Sequence, residues 1–252
     1  MPTKAESKAA TAASFLISFL AVERRNDPQG KTVTRYYLDD NATDLTDLQK
    51  RLETSDLIPS HEPLLDELDV KFAALRTAGI ESLADLRTAL KSSTSLASLS
   101  TASGVDPGYL QLLKRTLGGF FPKPRSLNEI DWLEGSFVSR LKEAGLTNTK
   151  ELFDAAQDGV DLLATKVGVD VAEVMELVAI SDLCRVQWVS PKFARALLAS
   201  GHINATSVAK ADPESLCDAI VDANKGSKFY KGKVGLRDVR RLVAAAAYVP
   251  RH

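Results

Sequence analysis

The chain has 252 residues, of which 44% are hydrophobic, so it can fill the core of one large domain or two small ones. This composition excludes a chain that is disordered over most of its length. The formal net charge of -1 excludes a strong overall field toward nucleic acid or an acidic membrane, so any such attraction must be local.

The first segment, residues 1–13, is rich in Ala, Ser and Thr and is predicted to be a disordered leader. It overlaps the apolar stretch Ala9 to Val22, which resembles a short signal-peptide core because two lysines precede it. An acidic residue before the stretch, charged residues directly after it and no clear cleavage site argue against secretion. The stretch is also shorter than the roughly 20 residues of a membrane span. We therefore expect a cytoplasmic protein without membrane association, with a first buried element at Phe15 to Val22.

Residues 14–60 are predicted to form an N-terminal arm and a helix. A turn cluster at residues 26–30 precedes Thr32 to Leu38, which is rich in β-branched and aromatic residues. This segment is either a short strand or an extended arm. An isolated strand has no obvious partner in the sequence, so both interpretations stay open.

A helix is predicted from about Thr43 onward, because leucines recur there at helical spacing. Thr43 or Asp44 can cap its first turn, and the helix should stop before Pro59. Acidic residues crowd this part of the chain, which we call the acidic front. They are Asp39, Asp40, Asp44, Asp47, Glu53, Asp56, Glu62, Asp66, Glu67 and Asp69.

Three segments share the pattern of a helix that ends at a glycine and is followed by a second helix. The glycines are Gly79, Gly145 and Gly201. Glycine is typical of a helix C-cap, because it enters the left-handed conformation without a steric cost. The second helices are predicted to start at Ser82, Thr149 and Thr206, which are residue types that favour the N-cap.

A second similarity reinforces the first. Gly104 followed by Asp106 matches Gly168 followed by Asp170, and in both places the aspartate can cap a new amphipathic helix after a glycine turn. Two copies of a helix-turn-helix-turn-helix plan are therefore predicted.

The boundary between the two copies is predicted at residues 118–126. Two prolines there, one residue apart, favour an extended connector, and Phe120 and Phe121 are expected to dock on a neighbouring helix. This gives a first domain at residues 61–121 and a second, tandem domain at residues 126–252, joined semi-rigidly.

Residues 130–152 read IDWLEGSFVSRLKEAGLTNTKEL and look like a helix-hairpin-helix unit, which VQWVSPKFARALLASG at residues 186–201 repeats. With the segment at residues 211–216 and the closing helix, this layout resembles the bacterial domain of unknown function 4332 family of tandem helix-hairpin-helix units. The resemblance extends over about residues 60–249. It implies an all-α fold of tandem diverged helix-hairpin-helix (SAM-like) repeats with a short extended N-terminal arm. It implies no activity, because that family has no settled one.

The hairpin turns depart from the pattern of nucleic-acid-binding members, in which Gly-hydrophobic-Gly lets backbone amides approach a phosphate. The turns are predicted at Trp132, Leu133, Glu134 and Gly135, and at Trp188, Val189, Ser190 and Pro191. The bulky indole of a tryptophan would block the approach of a phosphate to these amides. The carboxylate of Glu134 has the same sign of charge as a phosphate and would repel it. Each tryptophan is either a core plug over its own hairpin or an exposed interface residue, and its size favours the core.

One basic segment stands out near the C-terminus. Its cations are Lys225, Lys228, Lys231, Lys233, Arg237, Arg240 and Arg241, with Phe229 and Tyr230 interleaved. Lysines there could bind phosphates while an aromatic ring stacks on a base, with help from Lys192 and Arg195 near the last hairpin. Two alternatives stay open: a solvated linker before the last helix, and pairing with the acidic front within one chain or between copies.

No residue pattern indicates catalysis, a cofactor or a metal. The three histidines are far apart in the sequence, and no GxGxxG or P-loop occurs. Cys184 and Cys217 are predicted to be reduced core thiols. We therefore expect a non-catalytic interaction or scaffolding protein that binds a protein partner or itself, with nucleic-acid binding through the basic segment as the alternative.

Overall fold

The structure, a computed structural model, describes residues 35–251. Within this range every regular element is a helix, which confirms the predicted all-α class, and the extended pairings found there are two isolated β-bridges. The predicted leader, the apolar element at Phe15 to Val22 and most of the arm lie outside the described residues.

The helices form two groups along the chain. The first group is α1 (Leu45–Thr54), a 3-10 helix (Pro59–Leu65), α2 (Leu68–Thr77), α3 (Leu83–Ala89), α4 (Ser93–Ser103) and α5 (Pro107–Gly118). The second is a 3-10 helix (Leu127–Glu129), α6 (Gly135–Glu143), α7 (Thr149–Ala156), α8 (Val160–Val167), α9 (Val171–Leu183), α10 (Pro191–Ala199), α11 (Ala205–Ala209), α12 (Pro213–Ser227) and α13 (Leu236–Ala246).

Each group encloses its own hydrophobic core. One cluster of buried side chains runs from Leu45 to Leu117, and the other from Leu127 to Ala246. We call these the N-terminal unit, residues 43–121, and the C-terminal unit, residues 125–250. Helix α1 contributes three fully buried leucines to the first core, so it packs as part of the N-terminal unit.

The three predicted glycine stops all end their helices. Gly79, Gly145 and Gly201 have φ values of +87°, +83° and +89°. In each case the next residue donates its N–H to a carbonyl five residues back: Ile80 to Leu75 at 3.1 Å, Leu146 to Leu141 at 2.8 Å and His202 to Leu197 at 2.9 Å. This is the same C-terminal capping arrangement three times.

Two of the three helices after these turns begin slightly earlier than predicted. Ser82 caps α3 as expected, but Asn148 caps α7 and Asn204 caps α11. The predicted caps Thr149 and Thr206 were wrong, because both residues lie inside the first helical turn. The asparagine side-chain oxygen accepts backbone N–H groups there, and the hydroxyl of Thr149 instead accepts from the Arg125 N–H at 3.0 Å.

The two units also share a pair of backbone hydrogen bonds between the segment that enters the unit and the helix after a glycine turn. In the N-terminal unit Leu83 donates its N–H to Thr43 O at 2.8 Å, and in the C-terminal unit Thr149 donates to Arg125 O at 2.9 Å. The bridges Asp44 with Ser82 and Ser126 with Asn148 mark these pairings. The chain entering each unit is thus bonded to the start of the helix that follows a glycine turn, α3 in the N-terminal unit and α7 in the C-terminal unit.

The described end of the arm packs on the C-terminal unit and forms no strand at residues 35–38. Tyr36 is buried, with its hydroxyl 3.0 Å from Thr149 Oγ1 and its ring 5.5 Å from that of Phe153. Phe120 and Phe121 dock on helices as predicted, with Phe120 against Arg51 of α1 and Phe121 against Arg87 of α3, and Phe121 also contacts Tyr37 of the arm. The arm and the connector therefore lie between the two units.

A buried arginine joins several of these segments. Arg185, just after α9, pairs with Asp182 and donates Nη1–H to the carbonyls of Arg35 at 3.1 Å and Pro250 at 3.0 Å. The second carboxylate oxygen of Asp182 accepts the N–H of Ala205 at 2.6 Å. One buried ion pair therefore connects the arm, α9, α11 and the C-terminal tail.

Candidate interaction surface

The second hairpin turn, between α9 and α10, is built on a left-handed tryptophan. Trp188 has a φ of +71°, a conformation that non-glycine residues rarely adopt. It is the residue that the sequence comparison predicts to stand where the hairpin pattern has its first glycine. Val189 is buried beneath the turn, and Ser190 caps α10 by accepting the N–H of Phe193 at 3.2 Å. The turn is therefore held from below by an apolar contact and from the helix side by a cap.

The prediction that Trp188 is a core plug was wrong. Trp188 is 61% exposed, whereas Val186 and Val189, close to it in the chain, are buried in the core. Trp132, at the equivalent place in the other turn, is half-buried against the core, with the guanidinium of Arg195 lying 4.6 Å from its ring centroid. The two tryptophans thus have different environments.

The two hairpin turns are close to each other. Lys192 in α10 pairs with Asp131 at 2.6 Å, one residue before Trp132. In the first turn Leu133 is partly buried against the core, whereas Glu134 and Gly135 are exposed at the start of α6. Glu134 is the N-cap residue but makes no capping hydrogen bond with its side chain. The first turn therefore adds negative charge beside the second.

A lysine-rich loop lies over α10. This lysine loop, residues 228–235, follows α12 and is fixed by Asn224, whose amide donates to Tyr230 O and accepts from Tyr230 N, both at 3.1 Å. The ring of Tyr230 packs edge-on against Phe193 at 5.5 Å. The Arg195 guanidinium lies 5.4 Å from the Phe229 ring. Aromatic contacts therefore connect the loop to the helix that begins at the second hairpin.

The lysines of this loop are free to contact a ligand. Lys228, Lys231 and Lys233 are exposed, and their ammonium groups make no hydrogen bond or ion pair with any residue from 35 to 251. Lys192 and Arg195 lie nearby but are partly neutralised, by Asp131 and by Glu176 at 3.5 Å respectively. The unpaired positive charge is concentrated in the loop.

The arginines of the basic segment serve a different purpose. Arg237 and Arg241 in α13 bind Asp56 of the acidic front, with Nη2 and Nε of Arg237 2.6 and 2.8 Å from its carboxylate. Arg241 also donates to the carbonyls of Asp56 and Leu57. The Arg237 hydrogen bonds lower the pKa of Asp56 to about 2. Arg237 and Arg241 therefore pair with the acidic front, which was one of the predicted alternatives.

The remaining predicted cations are also paired. Arg240 lies 3.5 Å from Glu214, and Lys225 lies 2.9 Å from Asp222. The predicted set thus separates into a free lysine loop beside the second hairpin and an arginine face that joins the two units. Sequence reasoning did not single out Asp56 within the acidic front, it missed Asn224, and it favoured a buried position for Trp188.

Other chemistry is sparse in the described part of the chain. Across residues 35–251 no group of three or more His, Cys, Asp and Glu side chains could hold a metal ion. None of the helices there has the length and apolarity needed to cross a bilayer. Cys184 and Cys217 are free thiols, and burial raises the pKa of each.

The C-terminal unit is an all-helical domain that offers an exposed hairpin and a basic loop. Residues 134–249, which make up most of this unit, match the family model described as Domain of unknown function (DUF4332). The match is shorter than the predicted resemblance, because the N-terminal unit lies outside it. No curated protein and no solved structure matches the chain.

Proposed function

We propose that this protein is a non-catalytic interaction protein whose diverged helix-hairpin-helix repeats present a binding surface to a protein partner or to a second copy. The observation that carries the proposal is Trp188, a 61% exposed indole at the tip of a turn. Exposed tryptophan is scarce on surfaces that bind nothing and is enriched where protein partners dock.

The turn also fits this role because it is held in place before any partner arrives. The buried Val189 and the Ser190 cap fix the backbone on either side of Trp188. An aromatic side chain on a fixed backbone loses little conformational entropy when it is covered. The neighbouring lysine loop would favour a partner that is acidic around an apolar pocket.

The cytoplasmic location expected from the sequence is part of this proposal. The two thiols, Cys184 and Cys217, are unpaired, as is usual in a reducing compartment. A bacterial source and the helix-hairpin-helix assignment also belong to the proposal, and the three equivalent glycine caps support the repeat.

The test is capture with two baits, the wild type and Trp188→Gly. Glycine accepts the φ of this position, so the fold is kept while the indole is lost. A partner identified with the wild type is then purified and titrated, and we expect roughly 30-fold weaker binding to the variant, as for an interface hot spot. Leu162→Ser, at an exposed leucine on α8, is the matched control and should bind like the wild type.

Self-association is measured by sedimentation velocity on the same three proteins. A dimer that Trp188→Gly disrupts would identify the second copy as the partner. Equal capture by both baits, together with an unchanged sedimentation coefficient, would contradict the proposal.

A second candidate is nucleic-acid binding by the lysine loop, favoured by its three unpaired ammonium groups beside the half-buried rings of Phe229 and Tyr230. Phosphates would contact the lysines and a base would stack on a ring. The test is fluorescence anisotropy with a labelled single-stranded oligonucleotide at about 50 mM salt, where phosphate contacts are strongest.

The decisive comparison uses two triple variants of equal charge. Lys228, Lys231 and Lys233 changed to Glu should abolish binding. Lys142, Lys166 and Lys210 changed to Glu should keep most of it, because these exposed lysines lie elsewhere on the C-terminal unit. Equal loss in both variants, or no binding by the wild type, would remove this candidate.

A further inference from the structure

A cleft of about 350 Å³ opens where the two units meet. Leu48 of α1, Leu83 of α3 and the rings of Phe120 and Tyr248 line it. A volume of this size is in the range of small-molecule sites, and such sites combine mostly apolar walls with a few polar groups. The cleft is separate from the hairpin and lysine-loop surface.

Arg51 supplies the polar group of this cleft. Its side chain lies between two rings, with the guanidinium carbon 3.4 Å from the Phe120 centroid and 4.1 Å from the Tyr248 centroid. The residue is only 7% exposed. The rings cover the two faces of the guanidinium, whereas its five N–H donors lie in the plane between them.

None of those donors has an acceptor among the residues from 35 to 251. Burial lowers the pKa of Arg51 to about 10, so the group keeps its charge at neutral pH. The other buried arginine, Arg185, is by contrast bonded to Asp182 and to two carbonyls. The Arg51 nitrogens are not among the fully buried side-chain atoms without a partner, so they open to the cleft and can donate to an anion that enters it.

The surrounding charges limit what that anion can be. Asp47 and Lys50 also line the cleft, both exposed and of opposite sign, so Arg51 provides the net positive charge. A single guanidinium beside a carboxylate favours a monoanion over a phosphate dianion. A carboxylate also matches the planar pair of N–H donors that a guanidinium presents.

We infer that this cleft binds a small organic carboxylate with an apolar body. The carboxylate accepts in-plane hydrogen bonds from Arg51, and the body packs between Leu48, Phe120 and Tyr248. The site takes its residues from both units, so occupancy would also tighten the contact between them.

The test is a titration of the full chain with benzoate, followed by the ¹⁵N signals of arginine side chains and backbone amides. We expect saturable shifts of Arg51 Nε–H and of the amides of Leu48, Phe120 and Tyr248 at up to about 10 mM ligand. Benzamide, which is neutral and has the same shape, should bind at least about tenfold more weakly.

Arg51→Met should remove benzoate binding. The matched control is Arg87→Met, because Arg87 also stacks on a ring, that of Phe121, but already pairs with Asp40. If Arg51→Met does not fold, Arg51→Lys keeps the charge without the planar donor pair and should bind about tenfold more weakly. Equal affinity for benzoate and benzamide, binding unaffected at Arg51, or no saturable shift in the wild type would each overturn the inference.

Discussion

Replacing Gly145 with alanine tests the glycine-capped turns on which the fold depends. The backbone φ at Gly145 is +83°, and a Cβ added there would meet no heavy atom within 4 Å. Steric contact with neighbours therefore contributes nothing, and the whole cost comes from holding an L-residue in the left-handed region. That cost is about 1–2 kcal/mol, so Gly145→Ala should lower the free energy of unfolding by this amount.

The control is Gly226→Ala in the same unit. Gly226 lies in α12 with ordinary negative φ, and a Cβ added there also meets open space. Alanine at a helical position is more favourable than glycine by about 0.5–1 kcal/mol, so this variant should be more stable than the wild type. The two glycine-to-alanine changes add the same methyl group and differ only in backbone conformation.

Both variants are measured by urea unfolding, followed by far-ultraviolet circular dichroism. Gly145→Asn should fall between Gly145→Ala and the wild type, because asparagine enters the left-handed region more readily than alanine. A Gly145→Ala protein as stable as the wild type would refute the reasoning, as would a loss of equal size in Gly226→Ala.

Three further outcomes are expected. Asp182→Ala leaves the buried Arg185 without its carboxylate and should lower the free energy of unfolding in urea by about 3–5 kcal/mol. The control is Asp154→Ala, which removes the exposed ion pair with Lys150 and should lower it by less than about 1 kcal/mol. Hydrogen bonds from Arg237 lower the pKa of Asp56 from 3.8 to about 2, so its stabilising effect is present above pH 3.8 and is lost as the pH falls toward 2. Asp56→Asn should therefore melt below the wild type near neutral pH and together with it near pH 2, and a constant difference would contradict this linkage. Trp188→Gly relieves a left-handed non-glycine residue and should raise the unfolding free energy by about 1 kcal/mol, and a loss of stability would show that the indole packs on the fold.

Local backbone requirements could be predicted from the sequence. The glycine stops at Gly79, Gly145 and Gly201 and the caps Asp106 and Asp170 depend on the residue and its immediate neighbours, and all five are confirmed. The N-caps before α7 and α11 were misplaced because an asparagine stands one or two residues before the predicted threonine in both places: Asn148 before Thr149 and Asn204 before Thr206. Only the backbone direction decides which side chain reaches the free N–H groups.

Features that depend on distant residues could not be predicted. The exposure of Trp188 accompanies a positive φ that no sequence pattern assigns to a tryptophan, at a turn whose buried residues are Val186 and Val189. The partner of Arg237 is a particular acid in the other unit, and the acidic front offered ten. In the sequence, Arg51 has the position of an ordinary surface residue of an amphipathic helix. Its burial depends on Phe120 and Tyr248, whose rings pack against its guanidinium.

The bonds of Arg185 have a consequence for how relatives of this chain should vary. Its guanidinium reaches the arm and the C-terminal tail through the main-chain oxygens of Arg35 and Pro250. Substitution at those two positions keeps the acceptors, so sequence drift there should be tolerated, whereas insertion or deletion of a residue would displace the oxygens. Alignments of homologues should therefore show fixed spacing around positions 35 and 250 with variable residue types, and an invariant arginine at position 185.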